Sequence, residues 1–296
     1  MNFGIQTALQ NTTPDEVRAV WVAAEHAGYD WISIWDHFVA VGGGTNNLEA
    51  ISMHAALALS TRQVRCGGLV YSVGYRDVAV LANAMATVDH LSGGRVTLGL
   101  GAGYMAHEYE MWGIPFPTPR HRLDRLEETV AALRGLFAGK TVSTEGEHVR
   151  LRNAVCDPPP LQERLPVWIG GGGERRTIPM AARLADGWNV PMATLDDFER
   201  KCRVLRDAAA DAGRDPSAIE ASVGLGLCWD PAQLDARFGA RAEAMRPTIL
   251  SGSTDEVIHR VAGYGDAGAD RILLSLRAPF AIDEVHRFAE EVIPAL

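Results

Sequence analysis

The sequence predicts an α/β fold, a (β/α)8 TIM barrel, and three observations carry that prediction. Its 296 residues suit one such barrel. Short strand-like runs alternate with helix-like runs from end to end, near residues 3–7, 31–35, 64–71, 95–100, 166–170, 186–190, 219–228 and 271–276. Eight strands with helices between them can close into a ring that leaves no edge. An open doubly wound sheet is the alternative, but no GxGxxG follows the first strand. One domain over residues 1–296 is expected, with a small hairpin inserted near 141–151.

The elements follow in order. Residues 3–7 read as a strand. Thr13-Pro14-Asp15-Glu16 then opens a helix, with Thr13 and Glu16 as a capping box and Pro14 at the first helical position. Val17, Val20, Trp21 and Ala24 share one face, and Gly28 ends the helix. Trp31 to Trp35 form the second strand, and residues 64–71 the third. Val78, Leu81, Met85 and Val88 make a helical stripe before the turn at Ser92-Gly93-Gly94. A long helix from 120 to 137 turns Leu123, Leu126, Val130, Leu133 and Phe137 inward. Glu145-Gly146-Glu147 marks the hairpin turn. Pro158-Pro159-Pro160 is an extended connector, after which the alternation resumes at once. Ala27-Gly28-Tyr29-Asp30-Trp31-Ile32 is echoed by Ala267-Gly268-Ala269-Asp270-Arg271-Ile272, and both read as helix end, glycine and strand start.

Composition narrows the function. Hydrophobic residues make up 47% and charged residues 22%, a mix that buries a large core. Lys plus Arg number 28 against 37 Asp plus Glu, a net charge of −9. Nucleic-acid binding, which needs a basic footprint, is not expected. No apolar run reaches membrane-spanning length, and the N-terminus lacks a signal peptide's basic start and apolar stretch, so a cytoplasmic location is expected. The four cysteines are scattered, as reduced thiols would be.

In such barrels the working residues lie at the C-terminal ends of strands. That rule selects Asp36-His37 after strand 2, Tyr71 at the end of strand 3, Tyr104 and His107-Glu108 after strand 4, and Gly170, Gly171, Gly172 and Gly173 with Arg175 and Arg176 after strand 5. A histidine can donate or accept a proton near neutral pH, so His37 is the first choice for proton transfer, with Glu108 and Tyr104 second. Asp36 could fix its tautomer, but neighbours on a strand point opposite ways, so Asp36 can instead hold the loop or a ligand N–H. The glycines bare backbone N–H groups at a helix start, and with two arginines they suit a phosphate; a flexible turn with solvated arginines is the other reading. His54 could face the pocket. The remaining histidines read as solvated helix residues, apart from His148 in the hairpin. No His-x-His or HExxH metal motif is present.

Several stretches together resemble the luciferase-like monooxygenase superfamily. They are Trp35-Asp36-His37-Phe38, Tyr75-Arg76-Asp77, Leu91-Ser92-Gly93-Gly94-Arg95, Gly99-Leu100-Gly101-Ala102-Gly103-Tyr104, Glu108-Tyr109, residues 170–176 and Ala185-Asp186-Gly187-Trp188-Asn189. The match covers nearly the whole chain in order. Within the superfamily the sequence is most similar to the bacterial branch that uses the deazaflavin coenzyme F420.

The resemblance implies an oxidoreductase that passes hydride between F420 and a small organic substrate. A non-proline cis peptide at Leu69–Val70, beside Tyr71, would cup the ring. Asp36, His37 and His107 would lie near it, and residues 170–173 with Arg175 and Arg176 would hold the tail and phosphate. Two departures argue against sugar-phosphate dehydrogenase activity: Tyr104 stands in place of a catalytic Glu, and Val41 in place of a ring-stacking Trp. Pro179 should delay or kink the helix after the glycines. A two-component FMN monooxygenase, served by a separate reductase and lined by Tyr71, Tyr104 and Trp112, is the rival reading, and a non-catalytic cofactor carrier is the third. A homodimer is expected. Substrate choice is assigned to loops 40–50, 104–118 and 230–250, and no metal is expected.

Overall fold

Strands buried on both faces need cover on both, which a parallel barrel wrapped in helices supplies. A computed structural model describes residues 1–44, 46–238 and 242–296, without the Ala236 side chain. Residue 45 and residues 239–241, parts of two loops assigned to substrate choice, lie outside the described residues. The elements in order are β1 (Asn2–Thr7), α1 (Pro14–His26), β2 (Trp31–Ile34), α2 (Ala50–Ser60), β3 (Arg65–Ser72), α3 (Val78–Ser92), β4 (Val96–Gly101), α4 (Ala106–Met111), α5 (Pro119–Phe137), β5 (Val142–Glu145) and β6 (Arg150–Ala154). There follow β7 (Val167–Gly170), α6 (Thr177–Leu184), β8 (Gly187–Pro191), α7 (Leu195–Asp211), β9 (Glu220–Leu227), α8 (Leu234–Phe238), α9 (Ala242–Met245), β10 (Ile249–Leu250), α10 (Thr254–Asp266), β11 (Arg271–Leu276) and α11 (Ile282–Glu291).

Eight parallel strands form the ring β1-β2-β3-β4-β7-β8-β9-β11. It closes where β1 pairs β11, with Asn2 opposite Arg271, and where β8 pairs β9, with Gly187 opposite Glu220. The strands fall where the alternation places them. The hairpin is β5–β6, spanning 142–154 and so extending past the expected limit. Its turn is tied to α5 by Glu128, which accepts the backbone N–H groups of Glu147, His148 and Val149.

Local signals act as expected. Thr13 and Glu16 form the capping box of α1, and Ser253 and Glu256 form that of α10. Gly28 and Gly268, the echoed pair, both take positive φ, 89° and 104°, just after the C-cap residues Ala27 and Ala267 of α1 and α10. α6 starts at Thr177. The helix thus begins late, after the turn at residues 174–176, which puts Pro179 in the first turn, where an N–H has no helical partner to lose, so no kink is needed. All four cysteines are free and buried. No described helix is long and apolar enough to cross a membrane.

The barrel interior has its own packed cluster of Trp31, Leu69, Trp168 and Leu273, with Val70 against it. The Trp31 and Trp168 rings meet edge to face, with centroids 4.6 Å apart. Two glycines make room for them: a Cβ at Gly67 would overlap the Trp31 indole, and one at Gly187 the Trp168 indole. This plug closes the interior beneath the site. Gly187→Ala should therefore overpack it and cost about 1–3 kcal/mol, read as a lower urea midpoint. An unchanged midpoint would show that the Trp168 position is not enforced.

Candidate functional site

A cavity of about 970 Å³ opens at the C-terminal mouth of the barrel. Every barrel strand or the loop after it reaches this wall: Gln6 from β1, Trp35, Asp36 and His37 after β2, Leu69, Val70 and Ser72 from β3, Gly101 to Tyr104 from β4, Gly170 and Gly171 from β7, Asn189 from β8, Gly226 from β9 and Ser275 and Arg277 from β11.

His37 lines the cavity, and its Nδ1 lies 2.9 Å from Glu108 Oε2. Glu108 is fully buried on α4. It also accepts the backbone N–H groups of Phe38 and Val39, at 2.8 and 3.1 Å, and the Tyr75 hydroxyl. Burial pushes the Glu108 carboxyl up, but the hydrogen bonds from His37 and Tyr75, with those from the backbone, outweigh it and hold it at about 2. An ionised carboxylate only accepts, so Nδ1 of His37 must donate to it. The neutral imidazole then carries its lone pair on Nε2. His107 and Glu108 are adjacent on a helix, so when Glu108 faces in, His107 faces solvent; His107 is exposed and outside the cavity wall. Tyr104 does reach the wall, 68% exposed, with its ring edge-on to His37 at 5.8 Å.

Asp36 is not the carboxylate that orients His37. It turns to Arg76, which grips it at 2.6 and 2.9 Å, and accepts the Ser72 N–H at 3.1 Å. Burial raises the Asp36 carboxyl despite this clamp. Arg76 also holds Glu49 at 2.7 Å, the residue that caps α2. Asp36 therefore holds the loop together and still presents an edge to the cavity.

The cavity floor is the Leu69–Val70 peptide, which is cis. The β3–β4 ladder shifts register there, between Gly68 and Tyr71. Gln6 donates its amide N–H to the Leu69 carbonyl. Glycines surround Val70: a Cβ at Gly101 or Gly170 would come within 2.5 Å of its methyls. At residue 170, then, the missing side chain makes room for Val70.

The rest of the glycine run behaves differently from expectation. The Gly171 N–H is committed to the Asn189 carbonyl at 2.9 Å, and the Gly171 carbonyl accepts Trp188 Nε1 at 2.9 Å. Gly172 and Gly173 leave the wall; Gly173 is exposed, and a Cβ at Gly172 would meet Lys201 at 3.2 Å. Arg175 is exposed and off the wall. Arg176 is taken by Asp124 at 2.7 Å. Tyr71 faces away because its neighbour Val70 faces in. It packs on α2, where Nε2 of His54 donates to the Cys66 carbonyl at 3.1 Å and Nδ1 lies 3.0 Å from the Tyr71 hydroxyl. Burial pushes His54 down to about 4 and keeps it off the cavity. Trp112 packs at a tilt against Phe38, outside the wall. Tyr75, Arg76, Thr177 and Asn189 were assigned no role from sequence, although Tyr75, Arg76 and Asn189 lie inside the recognised motifs.

The floor, the glycine-cleared walls and the volume fit a flat heterocycle. Among the described residues, no group of three or more His, Cys, Asp or Glu is placed to hold a metal ion.

Comparison with known proteins agrees with this architecture. A family model described as luciferase-like monooxygenase matches residues 1–281. The 5,10-methylenetetrahydromethanopterin reductase of Archaeoglobus fulgidus is 31% identical over 264 residues, covering 88% of this chain and 73% of that protein. An F420-dependent glucose-6-phosphate dehydrogenase of Beutenbergia cavernae is 26% identical over 334 residues, covering 100% of this chain and 97% of that protein. Among solved structures, an F420-dependent secondary alcohol dehydrogenase in complex with an F420–acetone adduct superposes with a TM-score of 0.88 at 21% identity, covering 99% of this chain and 98% of that one.

The Glu108 arrangement has a pH signature. A carboxyl held at about 2 against an ordinary 4.5 adds stability above pH 4.5, and that stability is lost as pH falls toward 2. Glu108→Gln puts an amide N–H among donors and should cost about 1–3 kcal/mol at neutral pH. The stability gap between wild type and variant should narrow as pH falls through that window. A gap that stays constant with pH would contradict an ionised Glu108.

Proposed function

The chain belongs to the luciferase-like monooxygenase family, and within it we propose an F420-dependent oxidoreductase that transfers hydride between the deazaflavin and a small organic substrate. One observation carries the reading: an imidazole on the wall of a heterocycle-sized cavity, its Nδ1 proton locked onto a buried carboxylate. The relatives named for F420 support the cofactor.

Leu69 and Val70 would lie under the ring, with Asp36 and His37 at its edge. Gly170, Gly171, Thr177 and Asn189 would face the anionic handle. Bound there, the coenzyme supplies a ring carbon that takes or gives hydride. Each hydride exchanged with an alcohol-type carbon is accompanied by one proton at its oxygen. His37 accepts or returns that proton at Nε2, and Glu108 stabilises the imidazolium formed in between. Glu108 thus acts through His37 as a positioning residue. Trp35 and Tyr104 both meet the His37 ring edge to face, with centroids 5.7 and 5.8 Å away. Tyr104 and Val41 stand where the sugar-phosphate dehydrogenases carry Glu and Trp, so the reading does not extend to sugar phosphates. It includes a cytoplasmic homodimer, which light scattering of the purified protein checks for size.

Titrating apoprotein with each coenzyme separates F420 from FMN. Micromolar F420 binding is expected, with FMN weaker by roughly tenfold or more, a gap of at least about 1.4 kcal/mol. FMN binding without F420 binding would overturn the cofactor assignment. With a substrate that the wild type turns over, His37→Asn should lower kcat by about 10²–10⁴ while leaving F420 affinity nearly unchanged. Undiminished turnover would remove His37 from the proton step.

A further inference from the structure

Resting on the oxidoreductase reading, we propose that the substrate carries an extended, uncharged apolar body, which a lobe made by Met192, Phe238 and Met245 receives while the reacting carbon lies at His37.

The three side chains come from separate elements. Met192 follows β8, Phe238 ends α8 and Met245 ends α9. All three line the same cavity as His37. Each is partly buried against a small cluster of Cys228, Leu234, Ala242 and Ile249, separate from the main core. Phe238 lies close over β9: a Cβ at Gly226 would come within 3.3 Å of its ring and 2.9 Å of Ile249.

Met192 has an unusual backbone state. Its φ is 52°, in the left-handed region that glycine enters freely and residues with a Cβ rarely do. Its N–H donates to the Gly224 carbonyl at 2.7 Å. Left-handed non-glycine residues persist where surrounding contacts fix them, and they cluster at ligand sites. Methionine is unbranched and polarisable, so two of them beside a phenyl ring make a surface that adapts to an apolar body.

Elimination assigns the lobe to the substrate. The flat ring of the coenzyme has the Leu69–Val70 floor, and its anionic handle has the polar turn at Gly170, Gly171, Thr177 and Asn189. Neither is served by three side chains that offer no donor. A charged group placed among them would lose water without gaining a partner. Their neighbour Arg237 is itself paired with Glu284 at 2.6 Å and donates to Gln233 at 3.0 Å. Around the ring, β9 is three strands from β2, by way of β11 and β1. A body that reaches both the lobe and His37 must therefore extend across the mouth.

The test is calorimetry on protein loaded with oxidised F420, which cannot reduce a ketone, with straight-chain methyl ketones of increasing length from butanone to decanone. Affinity should rise roughly threefold per added methylene. A carboxylate at the far end of the longest chain should weaken binding by roughly tenfold or more. Met192→Gly suits the left-handed φ and so should stay folded. Met192→Gly and Met245→Ala together should weaken the longest ketone roughly tenfold while leaving the shortest ketone and F420 unchanged. Affinity that is flat with chain length, or a carboxylate that binds as tightly as the ketone, overturns the proposal. So does a variant that weakens short and long ketones alike, or neither. The wild-type series decides alone should the variant not fold. F420 binding is measured first: if it fails, the cofactor reading falls, and the same series on apoprotein still judges the lobe.

Discussion

Glu108 is a fully buried carboxylate on which four donors converge, and the candidate site depends on it. Burying a lone carboxylate costs several kcal/mol, and charge-assisted hydrogen bonds offset that only when geometry is good and every lone pair is used. Here the donors come from two successive loops and the acceptor from the next. His37, Phe38 and Val39 follow β2, Tyr75 follows β3, and Glu108 itself follows β4. None of the loops can move alone without stranding a charge. One side chain thereby fixes the imidazole's tautomer and ties together the loops after β2, β3 and β4.

The Asp36–Arg76–Glu49 chain extends the same constraint outward. Arg76 takes the charge of Asp36 and ties it to the cap of α2. Two carboxylates at the mouth are thus silenced by different means, one by a cation and one by hydrogen bonds. The acidic character of the chain as a whole is kept away from the ligand. The wall on the β11–β1–β2 side carries aromatic surface, amide groups and Arg277.

Most of the fold was legible because its signals are local. Capping boxes, glycine stops and apolar periodicity all act within a few residues, and they placed the strands, α1 and α10 close to where they lie. The site was legible only as far as the end-of-strand rule and family motifs reach. Adjacency suggested Asp36 as the partner of His37, but the orienting carboxylate lies 71 residues away in sequence. No spacing rule finds such a pair, because it exists only after β2 and β4 are brought to one end of the barrel. Tyr71 and His107 were misplaced for a simpler reason: each adjoins a residue that faces in, and one step along a strand or helix turns a side chain away.

The glycine run shows how a composition signal can have a packing cause. Four consecutive glycines suggest bare N–H groups for an anion. Yet Gly170 is small because Val70 fills the space its Cβ would need, and the Gly171 N–H is spent on the Asn189 carbonyl. Glycine in a barrel is often a complement to a bulky partner on the next strand, as Gly67 and Gly187 are to the two tryptophans beneath. The same economy of space links floor and plug, since Leu69 and Val70 belong to both the cavity wall and the interior cluster. The surface offered to a planar ring is therefore the top layer of the barrel's own core. Its rigidity comes from packing, whereas His37 and the other groups on the rim are held by hydrogen bonds between loops.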